Sequence, residues 1–506
     1  MQAGFKGEME YSDLRWVVRI CVTVFASMVF AGIVLATNGI LFVPPALAIG
    51  IGVTFFLIVR PNYGFAILVG VALLLEQFNI GGLETPVTFM VPFFLNLNLS
   101  MGIPGAVVNP VEILLGMFTF SWIMNMIVTR RFQFQRIPNI WALLLIICVI
   151  VGFLGYGMAR HGDFKAALWE IRAIFYLFLC YLIGSQVIRT RKDIVIVVWA
   201  TIIAIAIKGY QGMYRYVIEL GCDLGEIPAI TGHEDAVFMV MTFIFTASLL
   251  FFGGPKKMIW FGLITFPTTM ATFILTQRRV AYGAVVFGII ILFCFLPKEK
   301  KKFFINMSIP CVIMLMLYFA AFWNSNSGAA TLVKQVRSVF GEKAEEDRSN
   351  LYRKIENYNL QETIKVYPQG IGFGKKYMII IPLDEIDFPL WEYIPHNCVL
   401  WFWVKTGFFG FWAFFMFWGI TIVQCSLDFR RTYDPLYKSI QVLVIVFIVG
   451  QLIVSKYDLQ LTFYRNMIYL GTILALTVPC RILGGAEARE KEFAWADENG
   501  GSEPCR

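Results

Sequence analysis

The sequence predicts an all-α, polytopic integral membrane protein of about 14 transmembrane helices. Hydrophobic residues make up 58% of its 506 positions and charged residues only 15%, too few charges to cover a soluble protein of this length. Mean hydropathy is +0.70. Apolar runs of roughly 18 residues or more recur from end to end, each able to cross a bilayer core of about 30 Å as a helix.

In chain order the spans are placed at about 16–36, 39–58, 62–79, 108–127, 138–158, 168–188, 193–213, 236–252, 258–276, 280–297, 303–323, 396–424, 439–456 and 463–482. No cleavable signal peptide is expected, because the first run begins near Trp16 and lacks a small-x-small site before the next. The basic connections are TRRFQFQR (129–136), RTRKD (189–193), GGPKK (253–257), PKEKKK (297–302) and LDFRRTYDPLYK (427–438). With fourteen spans and a cytoplasmic N-terminus, all five face the cytoplasm, as the positive-inside rule requires. The net charge of +8 therefore reads as membrane orientation, and no nucleic-acid partner is expected. Ten cysteines with no CxxC pair read as small apolar residues, not as a disulfide or metal framework.

Domain organisation follows. Residues 1–323 carry transmembrane helices 1–11 with outer loops at 80–107, 214–235 and 277–279. Residues 324–395 form a long outer loop, 396–482 carry helices 12–14, and 483–506 form a cytoplasmic tail. All three histidines, His161, His233 and His396, fall on the outer face. In the long loop, DRSNLYRKIENYNLQETIKVYPQGIGFG (347–374) predicts a helix with Ser349 as N-cap and Leu351, Ile355, Tyr358 and Glu362 on one face. Pro368, Gly370, Gly372 and Gly374 then end it in a turn.

Several residues break the membrane pattern. In LTQRRVAYG (275–283), Arg278 and Arg279 stand in an outer hairpin against the charge trend. They are either snorkelling anchors or a fork of donors for phosphate oxygens. In KGYQGMYRYVIELG (208–221), Lys208 lies near an outer helix end and Arg215 about two turns further on. GHEDAVF (232–238) puts His233, Glu234 and Asp235 at a helix start, where the acids complement the helix dipole. Arg348 and Arg353 lead the loop helix, as a solvated face or as substrate contacts. The acidic run DEIDF (384–388) reads as surface, and no metal site is expected. In IPHNCVLWFWVKTGFFG (394–410), His396 and Asn397 enter a span. The imidazole is either an interfacial anchor or a base able to take a proton near neutral pH. Trp391, Tyr393, Trp401 and Trp403 lie around it in sequence as candidates for stacking on sugar rings.

Over about residues 230–425, the order of TQRRVAYG, an Arg-led loop helix ending in YPQGIGFG, and HN entering a span with KTGFFG resembles the O-antigen ligase and O-antigen polymerase superfamily. The resemblance implies a GT-C-like glycosyltransferase on the periplasmic face of a bacterial inner membrane. Such an enzyme moves a glycan from undecaprenyl diphosphate to an acceptor hydroxyl, with inversion and without metal or cofactor. His396 matches the catalytic histidine, and Arg279 or its neighbour Arg278 the diphosphate-binding arginine. Arg215 matches by position in its loop alone. Arg348, Arg353, Asn397 and His233 are then possible substrate contacts. Gln277–Arg278 stands where relatives often carry a small residue or Ser, so which arginine is equivalent stays open. GHEDA replaces an Asn-containing helix start, which leaves the role of His233 open.

The physical logic agrees. A diphosphate leaving group needs charge stabilisation, which arginines supply. A sugar hydroxyl is a poor nucleophile, for which a positioned base is worth roughly 10²–10⁴-fold. A metal-dependent transferase would want carboxylates in loop 80–107, which offers only Glu84. Three readings follow. One is a polymerase of exopolysaccharide or O-antigen repeat units, which the larger span count favours. The second is a ligase onto lipid A core or another acceptor. The third is a transporter or flippase, which lacks the expected internal repeat. The implied partners are an undecaprenyl-diphosphate-linked oligosaccharide, an acceptor glycan or lipid A core, the lipid bilayer, and a chain-length regulator or flippase.

Overall fold

A computed structural model of the chain describes residues 60–78, 83, 92–102, 105–130, 134–224, 227, 229–325, 328–340, 348–384, 386 and 388–498, with isolated positions between 16 and 59. The expected spans at 16–36 and 39–58, Glu84, and Glu385 and Asp387 of the acidic run lie outside the described residues, those isolated positions excepted.

The helices are α1 (Pro61–Leu74), α2 (Leu97–Met101), α3 (Pro110–Thr129), α4 (Ile140–Ala159), α5 (Phe164–Val187), α6 (Arg191–Tyr214), α7 (His233–Phe252), α8 (Lys256–Leu275), α9 (Arg279–Phe295), α10 (Lys298–Phe322), α11 (Thr331–Phe340), α12 (Arg348–Val366), α13 (Cys398–Arg431), α14 (Pro435–Ser455) and α15 (Tyr464–Glu498). Among the described residues ten are long and apolar enough to cross a membrane, and α1 and α9 are shorter apolar helices. The protein is thus an all-α polytopic membrane protein.

The centre of the bundle is α5, α7, α14 and α15, with α1 and α6 against them. In a bilayer, helices gain little from hiding apolar side chains from one another, so small residues decide which backbones approach closely. Gly471 of α15 meets α5 so tightly that a Cβ there would stand 2.4 Å from the Leu177 carbonyl oxygen. Gly184 of α5 receives Phe65 and Ala475 in the same way. The opposite case is α10, which has no buried residue. It is fastened near its N-terminal end, where Phe304 packs on Phe251 and Phe293 and Lys300 donates to the Phe251 carbonyl.

The expected outer loop at 214–235 starts later than the hydropathy pattern indicates. Helix α6 runs on through a π-helical turn, Arg215–Glu219, which carries Arg215 into the bundle.

The long loop is ordered around α12, and its buried face is not the one expected. Leu351 and Tyr358 are exposed, while Glu356, Asn359, Leu360 and Thr363 are buried. These four positions still follow helical spacing. The helix packs on backbone, so polar side chains face it: Asn359 accepts from the amides of Ile380 and Ile381 and donates to the Ile381 carbonyl. Thr363 accepts from the Met378 amide. Ser349 lies inside the first turn, since the helix already includes Arg348.

The segment YPQGIGFG is more than a turn, because it enters the bundle beside a break in α13. Gly407 leaves helical geometry there, at φ 62° and ψ −168°, which frees carbonyls of the preceding turn. Ile371 N–H donates to the Val404 carbonyl at 2.9 Å and Gly372 N–H to the Lys405 carbonyl at 3.0 Å. Gly370, Gly372 and Gly374 all have φ between 79° and 89°, and a Cβ on any of them would strike neighbouring backbone within 2.5 Å. Only glycine fits such positions. Lys405 and Glu170, both fully buried, close the joint with a 2.6 Å ion pair. Glu170 also accepts from the Gly374 amide, and Lys405 donates to the Lys375 carbonyl. Non-helical backbone at membrane depth persists only where protein satisfies it, as here.

Candidate active site

His396 precedes the first turn of α13, and α12 holds it from the side. Its backbone N–H donates to Glu356 Oε2 at 2.9 Å, and its ring Nδ1 lies 3.2 Å from Glu356 Oε1. The next residues repeat the contact: Asn397 donates to the Asn357 side chain at 2.7 Å. The Asn397 oxygen caps α13 by accepting from Leu400 N–H. Glu356 is 1% exposed, whereas the His396 side chain keeps 22% of its surface open. Tyr352 stands edge-on to the imidazole at 5.5 Å, its hydroxyl buried without a hydrogen-bond partner. Burial, with Glu356 and Asp384 nearby, pushes that phenol up to about 12, so it stays a neutral donor.

Arg278 occupies the N-cap position of α9, straight after Gln277 at φ 56°. The hairpin carrying it is braced from both sides. Thr276 hydrogen-bonds Thr231 at 2.8 Å, and Gln335 of α11 donates to the Ile274 carbonyl and accepts from Tyr282. Burial pushes the Arg278 guanidinium below its usual range, Asp458 and Glu234 draw it back, and the charge of Arg353 lowers it again. Arg353 reaches this corner from α12. The Nε atoms of both arginines are buried with no hydrogen-bond partner. Two cations sharing one desolvated corner with donors unused make a place for an anion.

Asp458 and His233 form the other wall. Asp458 accepts from His233 Nδ1 at 3.0 Å and from Gln460. Burial acts to raise its carboxyl, but His233 and Arg278 override that and hold it below the usual carboxylate range. His233 keeps 41% of its side chain exposed and meets the edge of Phe463 at 6.1 Å. Phe463 also lines a cavity of about 450 Å³ with Phe78, Lys165, Trp169, Tyr393 and Tyr464. Of the aromatic residues flanking His396 in sequence, Tyr393 reaches this cavity, while Trp401 is fully buried in the core.

Arg215 sits elsewhere. It is fully buried and grips Glu76 with both Nη atoms, at 2.7 and 2.8 Å. It also donates to the carbonyls of Ile230 and Leu83. Lys208 joins the same Glu76 oxygen at 2.6 Å and approaches Asp235 at 3.5 Å. Lys208 and Arg215 thus share one buried carboxylate. Arg465 completes the network through Glu234 at 2.7 Å and Asp235 at 2.6 Å. Three acids and three bases balance there, and Glu234 is also felt by Arg278, so the network backs the corner of Arg278 and Arg353. Arg279 is the half-buried first residue of α9, and Arg348 is exposed at the start of α12.

The structure therefore brings together Arg278, Arg353, His396 and His233, and takes Arg215 into the core. The reading of single segments missed Glu356, Asp458, Glu76 and Arg465. Arg465, inside the apolar run LTFYRNMIY, carried a signal of its own, since an ionisable residue at membrane depth is expensive and has a partner. Glu356 carried none, because it lies forty residues from His396 on a helix whose surface reads as solvated.

The model of a family described as O-antigen ligase matches residues 261–415. The match begins in α8 and runs past Arg278, α12 and His396 into α13. It supports the O-antigen ligase and polymerase superfamily read from the motifs, and, with the membrane helices, a membrane enzyme of that type. No curated protein matches the chain.

Proposed function

We propose that the chain is a glycosyltransferase that moves a glycan from undecaprenyl diphosphate to an acceptor sugar hydroxyl on the periplasmic face, polymerising repeat units of an exopolysaccharide or O-antigen. The observation that carries this reading is the pairing of Arg278 and Arg353, each with a buried Nε that no protein atom satisfies, on the same helix-and-hairpin corner as His396. The arginines hold the diphosphate and stabilise the charge that grows on it as the anomeric C–O bond breaks. Such donors are worth roughly 2.7–4 kcal/mol each by analogy with single oxyanion contacts. His396 removes the acceptor proton as that hydroxyl attacks from the opposite face, which inverts the anomeric carbon. A base in this role contributes roughly 10²–10⁴-fold. Aromatic faces of the adjoining cavity, Trp169 and Tyr393 among them, suit the apolar faces of sugar rings.

The family description over residues 261–415 favours a second reading, in which the acceptor is lipid A core or another molecule and the enzyme is a ligase. Both readings use the same corner, and one experiment separates them. Purified protein in detergent with EDTA receives undecaprenyl-diphosphate repeat unit as its only glycan. A ladder of longer lipid-linked glycans from wild type, absent with His396→Ala, supports the polymerase. An untouched donor that is consumed once lipid A core is added supports the ligase instead. If His396→Ala transfers like wild type in both assays, the histidine is not the base.

A further inference from the structure

We infer that Glu356 is the positioning residue that sets the tautomer of His396. The inference rests on the reading of His396 as the base. An ionised carboxylate offers only lone pairs, and both oxygens of Glu356 are committed to the same residue. Oε2 accepts the His396 backbone N–H at 2.9 Å, and Oε1 stands 3.2 Å from ring Nδ1. Nδ1 must therefore carry a proton, which leaves the Nε2 lone pair free to take the acceptor's. The second bond fixes the ring's plane as well as its tautomer, because the backbone contact ties the carboxylate to the peptide that bears the ring.

The carboxylate is itself held. Glu356 is 1% exposed, on the inward face that Asn359 and Thr363 pin to the segment 378–381. The Asn357–Asn397 bond, one residue along in both segments, locks the register. The charged and titratable groups around the pair include Tyr352 and Tyr377 on the loop side, Arg353 one turn back on α12, Cys398 on α13, and Asp458, whose charge reaches Cys398 and Arg278.

The geometry makes a sharp distinction between two substitutions. In Glu356→Gln the single amide oxygen is needed by the His396 backbone N–H, so the NH₂ group faces Nδ1 and donates to it. The ring proton then moves to Nε2, and the base is lost with the fold intact. The same wrong-tautomer logic governs the Asp-to-Asn change in a serine-protease triad, where a carboxylate likewise orients the histidine. Glu356→Asp keeps an acceptor-only group at shorter reach and retains the tautomer with a looser hold.

The test uses full-length protein labelled with ¹⁵N-histidine in detergent micelles. Only three histidines are present, and removal of His161 and of His233, each in its own variant, identifies their signals and leaves that of His396. Wild type is expected to show His396 protonated on Nδ1 in its neutral form, Glu356→Asp the same, and Glu356→Gln the Nε2-protonated form. In the transfer assay Glu356→Gln is expected to lose about 10²–10⁴ in kcat, the whole worth of a general base, with little change in KM for the donor, and Glu356→Asp less. If Glu356→Gln keeps the wild-type ring signature and turnover while His396→Ala is dead, the inference is wrong and the base reading survives. If His396→Ala is active, the base reading falls, and the ring signature alone still decides whether Glu356 sets the tautomer. Should Glu356→Gln fail to fold, a Glu356→Asp ring protonated on Nε2 overturns the inference.

Discussion

The ion-pair network around Glu76 and Arg465 and the corner of Arg278 and Arg353 use the same kinds of side chain and differ in what they leave unsatisfied. Within the network, Glu76, Glu234 and Asp235 face Lys208, Arg215 and Arg465, and every cation there has a carboxylate partner. In the corner, Arg278 feels the charges of Asp458, Glu234 and Arg353, and both arginines keep a buried Nε donor unused. Arg215 also leaves its Nε unused, but both of its Nη atoms are spent on Glu76. The network spends its cations on carboxylates that tie helices together, whereas the corner keeps donors that the proposed function assigns to the diphosphate. That contrast explains why Arg215, which resembles a phosphate-binding residue by position, acts as part of the frame.

The contrast can be broken at several points. The largest effect is expected from Arg465→Ala, which takes Glu234's ion-pair partner and leaves Asp235 only Lys208 at 3.5 Å. Leaving a buried charge unpaired costs about 3–5 kcal/mol, a large part of an ordinary domain's stability of about 5–15 kcal/mol. Thermal unfolding in detergent checks it, and a melting point equal to wild type would remove the network from the frame.

Arg278→Ala tests the other side. Turnover is expected to fall by about 10²–10³, or roughly 2.7–4 kcal/mol, while the melting point changes little, because the attraction of Asp458 and the repulsion of Arg353 are lost together. A clear drop in stability with turnover unchanged would make Arg278 a structural residue.

Gly407→Ala asks how the two regions are joined. The position lies in a backbone region that is essentially glycine-only and costs a side-chain-bearing residue roughly 1–3 kcal/mol, and the new Cβ would stand 2.3 Å from the Gln369 carbonyl carbon. Because Gln369 belongs to the segment that follows α12, transfer should suffer more than the melting point. Equal turnover would show that α12 holds its place without this joint.

The smallest expected effect is on the acid limb of stability. Asp458 is depressed in the folded protein, so its contribution is complete above its unfolded value of about 3.9 and is lost as pH falls through the folded value. His233→Gln removes the strongest opposing partner and should move that loss to higher pH. Unfolding midpoints measured from pH 5 downward test this, and superimposable curves would count against the pair.

Much of this protein was written in local sequence. Membrane spans are runs of apolar residues set by bilayer thickness, so every expected span from residue 62 onward has a matching helix. Arg278 and His396 also stood out locally, since charge and imidazole at apolar helix ends violate the pattern around them. The polar face of α12 did not, because its partners are backbone groups of a later segment, and helical spacing alone pointed to Leu351 and Tyr358. Glycines in YPQGIGFG announced a bend, but not that the bend enters the bundle beside Gly407.

By itself, then, the sequence determined a multi-helix membrane protein with arginines and a histidine at apolar helix ends and a long loop between them. Tertiary structure decided which charges cancel and which remain open. Pairing a charge in a low-dielectric interior depends on a partner within about 4 Å. Those partners lie 40 residues away for Glu356 and His396, 139 for Glu76 and Arg215, and 231 for Glu234 and Arg465. No spacing in the chain encodes such distances; the packing of helices sets them.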